Sequence, residues 1–281
     1  GEAGGEILKP FEQQEKLDNH MTNPNTNQPF KLNNPPIVET VVDIDCDLPS
    51  DRPLSKIEQE ATASLAETYP NTEKKFSQQL QFKVRPEDKA PSSHQINEDL
   101  EGLLFRSSDG RQLTQFRTGG YSFNRLAPYE GLDTYMPEIR RTWENYVTIA
   151  RPVILRKIGL RTINRIPLPL DEHGRLELND YLKTDPRLPG AEGKTLSFTG
   201  FMNQHQVRDE GSGQEATLVL ASKEFKDGHM TLLLDINAFD RNVTNQDPTN
   251  WQEINAVIQS LRGLKNDLFF NILTEKCLNQ C

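Results

Sequence analysis

The sequence of 281 residues predicts an α+β fold built mainly from antiparallel sheets. Three observations predict it: short runs in which apolar side chains alternate, glycine-containing turns between these runs, and an apolar helical stripe after each group of runs. The pattern divides the chain into a flexible N-terminal arm over residues 1–30, a first half over 31–170 and a second half over 171–281. Each half places its hairpins before its helix, which raises the hypothesis of an internal duplication.

The first half begins with a strand over residues 37–47, which has one apolar side and one acidic side. A capping box formed by Ser55 and Glu58 predicts a helix after this strand. Residues 85–97 are polar, contain two prolines and predict a loop. The dipeptide Asp109-Gly110 predicts the tight turn of a hairpin. The other strands of this half are expected at residues 76–84, 103–106, 111–118 and 121–126.

A helix over residues 134–150 and a long strand over residues 153–166 complete the first half. Pro137 falls in the first turn of the helix, where its missing N–H is tolerated. Pro167 and Pro169 predict the end of the strand. One face of the helix carries a stripe that is predicted to pack in the core: Tyr135, Ile139, Trp143, Tyr146 and Ala150.

The second half opens with a loop-like stretch up to Gly193, which is followed by three strands and a long helix. The strands are expected at residues 195–207, 215–222 and 230–238, with hairpin signals at 211–213 and 227–228. Thr249 and Gln252 form a second capping box at the start of the helix. The helix is predicted to be amphipathic, with a possible bend at Gly263 and a stripe of Ile254, Val257, Ile258, Leu261, Leu264, Leu268 and Ile272.

Three motifs follow one another along the chain. Residues 34–39 read Asn-Pro-Pro-Ile-Val-Glu and lead into a strand, and residues 158–166 follow the helix that bears Trp143. The third motif lies on the C-terminal helix and comprises Leu261, Phe269 and Thr274-Glu275. Together they resemble a sporadically distributed bacterial family of uncharacterised proteins. The resemblance implies one architecture from about residue 33 onward and no reaction, and the patchy distribution of the family implies a link to mobile or defence genes.

Charge, hydropathy and cysteine content exclude several classes of protein. A net charge of −9 argues against non-specific coating of DNA or of an anionic membrane. No run approaches the roughly 18 apolar residues of a membrane helix, and the first residues lack the pattern of a signal peptide. The odd set of Cys46, Cys277 and Cys281 contains no C-x-x-C and predicts neither a disulfide framework nor a zinc site. We therefore expect a cytoplasmic protein with reduced thiols, no cofactor and no membrane partner.

Basic residues are concentrated in the middle of the chain. Residues 101–170 hold 11 basic and 6 acidic side chains, whereas both flanking regions are net acidic. On the predicted strand 153–166, Lys157, Arg161 and Arg165 recur at steps of four and so share one face of the sheet. Arginine binds phosphates and carboxylates through its planar fork. This face is the leading candidate for an anion-binding site that takes a nucleotide, a nucleic acid or an acidic partner.

Neighbouring strands extend this candidate and also supply its alternative. Arg117 and Arg125 would add charge to the face, and Tyr121 and Phe123 would add stacking surface. In the alternative interpretation, the same cations pair with the acidic side of the strand 37–47 and form a structural ion-pair network.

The acidic side of the strand 37–47 carries Asp43, Asp45 and Asp47 at steps of about 7 Å. Asp43 and Asp45 are candidate ligands for Mg²⁺ or Mn²⁺ in phosphoryl-transfer chemistry. No positioned lysine or histidine follows them closely in the sequence, so an acidic face that is solvated or paired with arginine is the competing interpretation.

The leading functional hypothesis is a non-enzymatic cytoplasmic binding or interaction protein with a link to defence. It rests on the segregation of charge and on the lack of a recognised catalytic motif. Two alternatives stay open. The first is a metal-dependent phosphoryl-transfer enzyme or nuclease that uses Asp43 and Asp45. The second is a structural subunit that forms a homo-oligomer, such as a homodimer, through the long C-terminal helix.

Overall fold

Nine strands form one antiparallel sheet in the computed structural model of the chain. The structure describes residue 32 and residues 34–82, 94–184 and 199–281, without the side chains of 77–82 and 94–98. The predicted arm over residues 1–30 lies outside the described residues, as does the predicted loop 85–97 up to residue 93. The predicted α+β architecture with antiparallel strands is confirmed.

The strands and helices are numbered in chain order. The strands are β1 (Ile37–Asp47), β2 (Asn71–Phe82), β3 (His94–Arg106), β4 (Gln112–Arg117), β5 (Gly120–Leu126), β6 (Ile154–Pro169), β7 (Met202–Arg208), β8 (Glu215–Lys226) and β9 (His229–Asp240). The helices are α1 (Leu54–Leu65), α2 (Leu132–Ala150), α3 (Trp251–Ile272) and α4 (Glu275–Leu278), and a 3₁₀ turn spans Leu178–Asp180. The order across the sheet is β2-β3-β4-β5-β1-β6-β9-β8-β7.

The two halves of the chain lie on the two sides of a central strand pair formed by β1 and β6. Outward from this pair, the first half continues with β5, β4, β3 and β2, and the second half continues with β9, β8 and β7. In each half the strand next to the central one is followed by the long helix, α2 after β5 and α3 after β9. The two halves therefore have corresponding topologies within one continuous sheet.

The long helices α1, α2 and α3 pack on one face of the sheet. Alternate side chains of the strands point toward them, and together these residues form one continuous apolar core. The predicted stripe of α2 is buried, and Trp143 and Tyr146 pack against Tyr121 of β5. The stripe of α3 packs on β6 and β9, so the fold already uses this apolar surface.

We call the opposite face of the sheet the open face. Its side chains are half-buried or exposed and point away from the three long helices. The charged residues that define it are Asp43 and Asp45 of β1, Arg117 of β4, Lys157, Arg161 and Arg165 of β6, and Asp235 of β9.

Two predicted helix starts differ from the structure. The capping box of Ser55 and Glu58 is wrong, because the N-cap of α1 lies two residues earlier, at Pro53, and no side chain caps the helix. The second box is displaced by one residue, because Asn250 rather than Thr249 caps α3. Both departures are of the size expected where several polar residues compete at a helix start.

Strand β6 continues through Pro167 and Pro169, so its predicted end at these prolines is wrong. The backbone N–H of Arg165 donates to the Pro36 carbonyl, which shows that odd-numbered amides of β6 point toward the side of β1. Strand β1 begins only at Ile37, opposite Asn164. The missing N–H groups of the two prolines therefore face a position where the described residues provide no partner strand, so no hydrogen bond of the described ladder is lost.

Strands β2 and β3 are longer than predicted. Strand β2 begins at Asn71, and β3 begins at His94, inside the predicted loop 85–97. Their sequences are polar and charged, and pairing with a neighbouring strand rather than apolar alternation holds them in the sheet. Strand β7 is shorter than its predicted range 195–207, of which residues 195–198 lie outside the described residues.

Candidate functional site

The three basic residues predicted on one strand face do share a face of β6. Lys157, Arg161 and Arg165 alternate with buried residues such as Leu160 and Thr162, and all three belong to the open face. Strand β6 is central, with β1 on one side and β9 on the other. Their surroundings are therefore set by side chains of these two neighbours.

Lys157 is enclosed by carboxylates. Its Nζ lies 3.0 Å from Oδ2 of Asp43 and 2.8 Å from Oδ2 of Asp45. Arg117 reaches the same pair from the other side, with Nη2 3.1 Å from Asp45 Oδ1 and a second ion pair to Asp43. Burial opposes the charge on Lys157, but the hydrogen bonds and charges of the two aspartates outweigh burial and raise the pKa of this amine.

Gly120 makes this cluster possible. It lies between Arg117 of β4 and Asp45 of β1 in the register of the sheet. Its φ is +140°, and a Cβ at this position would lie 2.1 Å from the carbonyl oxygen of Ile44. Only glycine permits this close approach of the two backbones. Because Gly120 has no side chain, Arg117 can extend across it toward Asp43 and Asp45.

Arg161 and Arg165 differ in their partners. Arg161 forms a two-pronged ion pair with Asp235 of β9, with donor–acceptor distances of 2.8 and 2.5 Å. The hydrogen bonds that Arg161 donates to Asp235 raise the pKa of Arg161. Arg165 is exposed and borders a recess beside Lys223 and Glu224, and it forms no ion pair with another described residue.

The remaining predicted residues lie on the helix side of the sheet. Arg125 places its guanidinium 5.1 Å from the ring centre of Tyr135 and 3.8 Å from Asp109. Tyr121 and Phe123 are buried beneath α2 and provide no stacking surface. The five predicted anion-binding residues therefore do not form one surface, because Arg125 lies on the opposite side of the sheet from the other four.

The carboxylates proposed as metal ligands already hold cations of the protein. Both oxygens of Asp43 and of Asp45 contact Lys157 or Arg117. In the part of the chain that the structure describes, no group of three His, Cys, Asp or Glu side chains is arranged to hold a metal ion. A metal at this position would have to displace both cations.

A second site lies on the helix side of the sheet. A cavity of about 150 Å³ opens between α3, the start of β1 and the middle of β6. We call it the Lys265 pocket, and its lining includes Ile37, Tyr129, Thr162, Asn164, Lys265 and Phe269. The register shift between Ile37 and Glu39 places Ile37 opposite Asn164, at the edge of the cavity.

Lys265 is a buried cation without a counter-ion among the described residues. Its relative exposure is 9%, and it forms no ion pair or hydrogen bond with another described residue. Burial is the main reason that the pKa of its amine falls to about 8, and the nearby charge of Arg262 adds to the effect. Arg262 itself donates to both carboxylate oxygens of Asp133 of α2, at 2.9 and 3.0 Å.

The rest of the lining combines polar side chains, among them Thr162, Asn164 and Asn266, with apolar and aromatic ones. Asn164 uses its amide nitrogen to donate to the Leu234 carbonyl at 2.9 Å, while its buried amide oxygen accepts no hydrogen bond from another described residue. Aromatic rings line the cavity, and burial raises the pKa of the Tyr129 hydroxyl to about 12. The pocket thus combines a cation, an unused acceptor and aromatic surface, which is the usual composition of a small-molecule site.

Sequence analysis missed Lys265 and Asn164. The signal for the lysine is its place on the buried stripe of α3, where the structure buries Lys265 and Phe269 instead of the predicted Leu264 and Leu268. The signal for Asn164 is its position in the motif 158–166, on the strand face that otherwise points into the core. A lysine and an amide at core positions are unusual enough to mark a site.

No family model and no curated protein matches the chain. A solved structure to which the chain is similar is that of DynU16 from the dynemicin biosynthetic locus, with 15% identity over 83% of this chain and 97% of that chain and a TM-score of 0.20. A likeness this low carries no argument, so the family resemblance stays a prediction. Among the described helices, none has the length and apolar character needed to cross a membrane.

Proposed function

We propose that this protein is a non-enzymatic binding protein whose ligand is a small anion held by Lys265. We place it in the bacterial cytoplasm, as the sequence resemblance and the reduced cysteines imply. The single observation that carries the proposal is the buried amine of Lys265, which faces a cavity without a carboxylate of the described residues beside it.

In the free protein, the buried charge of Lys265 costs stability. A buried charge without a partner destabilises a fold by several kcal/mol unless the group loses its proton. An apolar residue at position 265 would fill the stripe of α3 without that penalty. A lysine retained at such a position is best explained by a ligand that supplies the missing negative charge, because functional sites are where proteins tolerate such costs.

The open face ranks second as a binding site. Three of its cations, Arg117, Lys157 and Arg161, are paired with three carboxylates, so the local charge is nearly balanced. Such a surface suits a protein partner better than a polyanion. Arg165 keeps the prediction of an acidic partner open, because it is exposed and forms no ion pair with a described residue.

The state of the thiols supports binding rather than nucleophilic catalysis. All three cysteines are buried and form no disulfide. Burial raises the pKa of the Cys277 thiol to about 12 and that of Cys46 to about 11. Thiols of this kind are nearly fully protonated at neutral pH and react slowly.

Native mass spectrometry of gently purified protein tests the proposal. We expect a low-mass ligand on the wild-type chain, its loss in Lys265→Met, and its retention in the control Lys226→Met, which makes the same change at an exposed position. The same spectra give the stoichiometry and so test the proposed homodimer. If the wild-type chain carries nothing and no small anion raises its melting temperature in a Lys265-dependent way, the proposal is wrong.

A further inference from the structure

The chemistry of the Lys265 pocket points beyond a generic anion to one class of ligand. This inference rests on the proposed function, since it concerns the same site. We propose that the ligand is a small monocarboxylate whose apolar body is about the size of one aromatic ring and carries an O–H or N–H donor. Charge, volume and the unused acceptor of the pocket each contribute one part of this description.

The charge of the ligand follows from the number of uncompensated cations. Lys265 has no carboxylate partner among the described residues, whereas the guanidinium of Arg262 is engaged by both oxygens of Asp133. The pocket therefore offers one positive charge to a ligand. A carboxylate neutralises it, but a phosphate would bring about two negative charges and leave the second one buried without a counter-ion.

The size and surface of the pocket define the body of the ligand. An apolar cavity of about 150 Å³ is large enough to hold benzene, and the Lys265 pocket has the same volume. Its walls include Ile37, Tyr129 and Phe269, which would contact a flat or branched apolar group. Nucleotides and oligonucleotides are far larger than this cavity.

The donor on the ligand follows from Asn164. Its amide oxygen is buried and accepts no hydrogen bond from the described part of the chain, although its amide nitrogen is fixed by the Leu234 carbonyl. A buried acceptor left without a donor is costly, and a ligand O–H or N–H group would satisfy it. We therefore expect a hydroxylated or aminated carboxylate to bind more tightly than the unsubstituted one.

Calorimetric titration at pH 7 tests the ligand class. The probes are benzoate, the three hydroxybenzoates, the neutral isostere benzamide, isovalerate, phenyl phosphate and inorganic phosphate. We expect at least one hydroxybenzoate to bind more tightly than benzoate, benzamide to bind roughly 10- to 100-fold more weakly than benzoate, and phosphate not to bind. Lys265→Met should bind every carboxylate roughly 10- to 100-fold more weakly than the wild type does, while Lys226→Met should bind them as the wild type does.

A second variant isolates the donor. Asn164→Leu should remove the advantage of the hydroxybenzoate over benzoate, and Asn164→Ser serves if the leucine variant does not fold. The outcomes separate the two proposals. Lys265-dependent binding of phosphate or phenyl phosphate that is tighter than that of any carboxylate overturns the ligand class but keeps the proposed function. If none of the anions binds in a Lys265-dependent way, both proposals are overturned.

Discussion

Lys157 is half-buried and Lys265 is buried, and the charged groups around the two amines differ. Lys157 lies on the open face with two aspartates within 3.0 Å of its amine, and its pKa is raised. Lys265 lies on the helix side with an arginine as its charged neighbour, and its pKa is lowered to about 8. Burial acts against the charge in both cases; the two aspartates outweigh it at Lys157, whereas at Lys265 burial is deeper and the charge of Arg262 adds to it.

The difference separates two roles of a buried cation. At Lys157 the protein provides the counter-ions itself, and the cluster ties β1, β4 and β6 together. At Lys265 no carboxylate of the described residues compensates the charge, and the side chain lines a cavity. A charge that the fold stabilises indicates a structural network, whereas one that the fold destabilises indicates a place where something else binds.

The largest effect is expected from Lys265→Met in the absence of ligand. The lowered pKa, from 10.5 to about 8, corresponds to a penalty of about 3 kcal/mol at neutral pH. Methionine fills the same space without a charge, so we expect the free energy of unfolding to rise by about 2 kcal/mol. Urea denaturation at pH 7 measures it, with Lys226→Met as the control that should change stability by less than about 0.5 kcal/mol.

The rise in the free energy of unfolding caused by Lys265→Met should depend on pH with a defined sign. Because the folded state holds the proton of Lys265 less tightly than the unfolded state, the penalty is complete below pH 8 and disappears between pH 8 and 10.5. The advantage of Lys265→Met over the wild type should therefore shrink as the pH rises through this window. A variant that is less stable than the wild type at pH 7 would show that the amine has a partner that stabilises its charge.

Ligand affinity should fall above pH 8 for the same reason. A carboxylate binds the protonated amine, so its dissociation constant should be constant below about pH 8 and rise roughly tenfold per pH unit above it, until the higher pKa of the complex is reached. The other charged groups at the pocket among the described residues are the ion-paired Arg262 and Asp133, and the Tyr129 pKa of about 12 lies outside this range.

Titration calorimetry in two buffers at pH 8.5 should detect proton uptake when the carboxylate binds. In Lys265→Arg the dissociation constant should become independent of pH, and a wild-type affinity that does not change with pH would contradict the assigned role of Lys265.

Removing the counter-ions of Lys157 should lower the free energy of unfolding, whereas Lys265→Met should raise it. Asp43→Asn combined with Asp45→Asn leaves Lys157 and Arg117 half-buried without carboxylates. We expect a loss of about 1–2 kcal/mol in the free energy of unfolding, since partial exposure limits the penalty. Glu172→Gln, at an exposed position, is the control. A neutral or stabilising result would mean that the cluster contributes nothing to the fold.

Most of the fold could be predicted because it depends on local patterns. Alternation predicted β1, β4, β5 and β9 within about three residues, and the Asp109-Gly110 turn lies where expected. The polar strands β2 and β3 were predicted too short because their sequences lack apolar alternation, and pairing with the adjacent strand of the hairpin holds them in the sheet instead. The one continuous sheet could not be predicted either, because the pairing of β1 with β6 joins segments more than a hundred residues apart.

The sites were predictable only in part. The shared face of Lys157, Arg161 and Arg165 followed from the period of a strand, but pairing with aspartates depends on which strands become neighbours. To predict the Lys265 pocket, one must know which residues of α3 face the sheet. A stripe with Leu264 and Leu268 and a stripe with Lys265 and Phe269 both fit a helical period. Composition favours the stripe with more leucines, whereas the structure buries the one that contains the lysine.

The smallest effect is expected for the exposed ion pair of Arg161 and Asp235, whose coupling energy can be compared with that of the less exposed pair of Lys157 and Asp45. The geometry is two-pronged, but the arginine side chain is 45% exposed, so water and salt screen the interaction. A double-mutant cycle with Arg161→Met and Asp235→Asn should give a coupling energy of about 0.5 kcal/mol that falls further in 1 M NaCl. The same cycle for Lys157 and Asp45 should give a larger value that is less sensitive to salt, because Lys157 is only 24% exposed. Equal coupling energies and equal salt dependence in the two cycles would show that burial does not set the strength of these pairs. The contrast between the paired and the unpaired lysine would then have to be explained by local geometry instead.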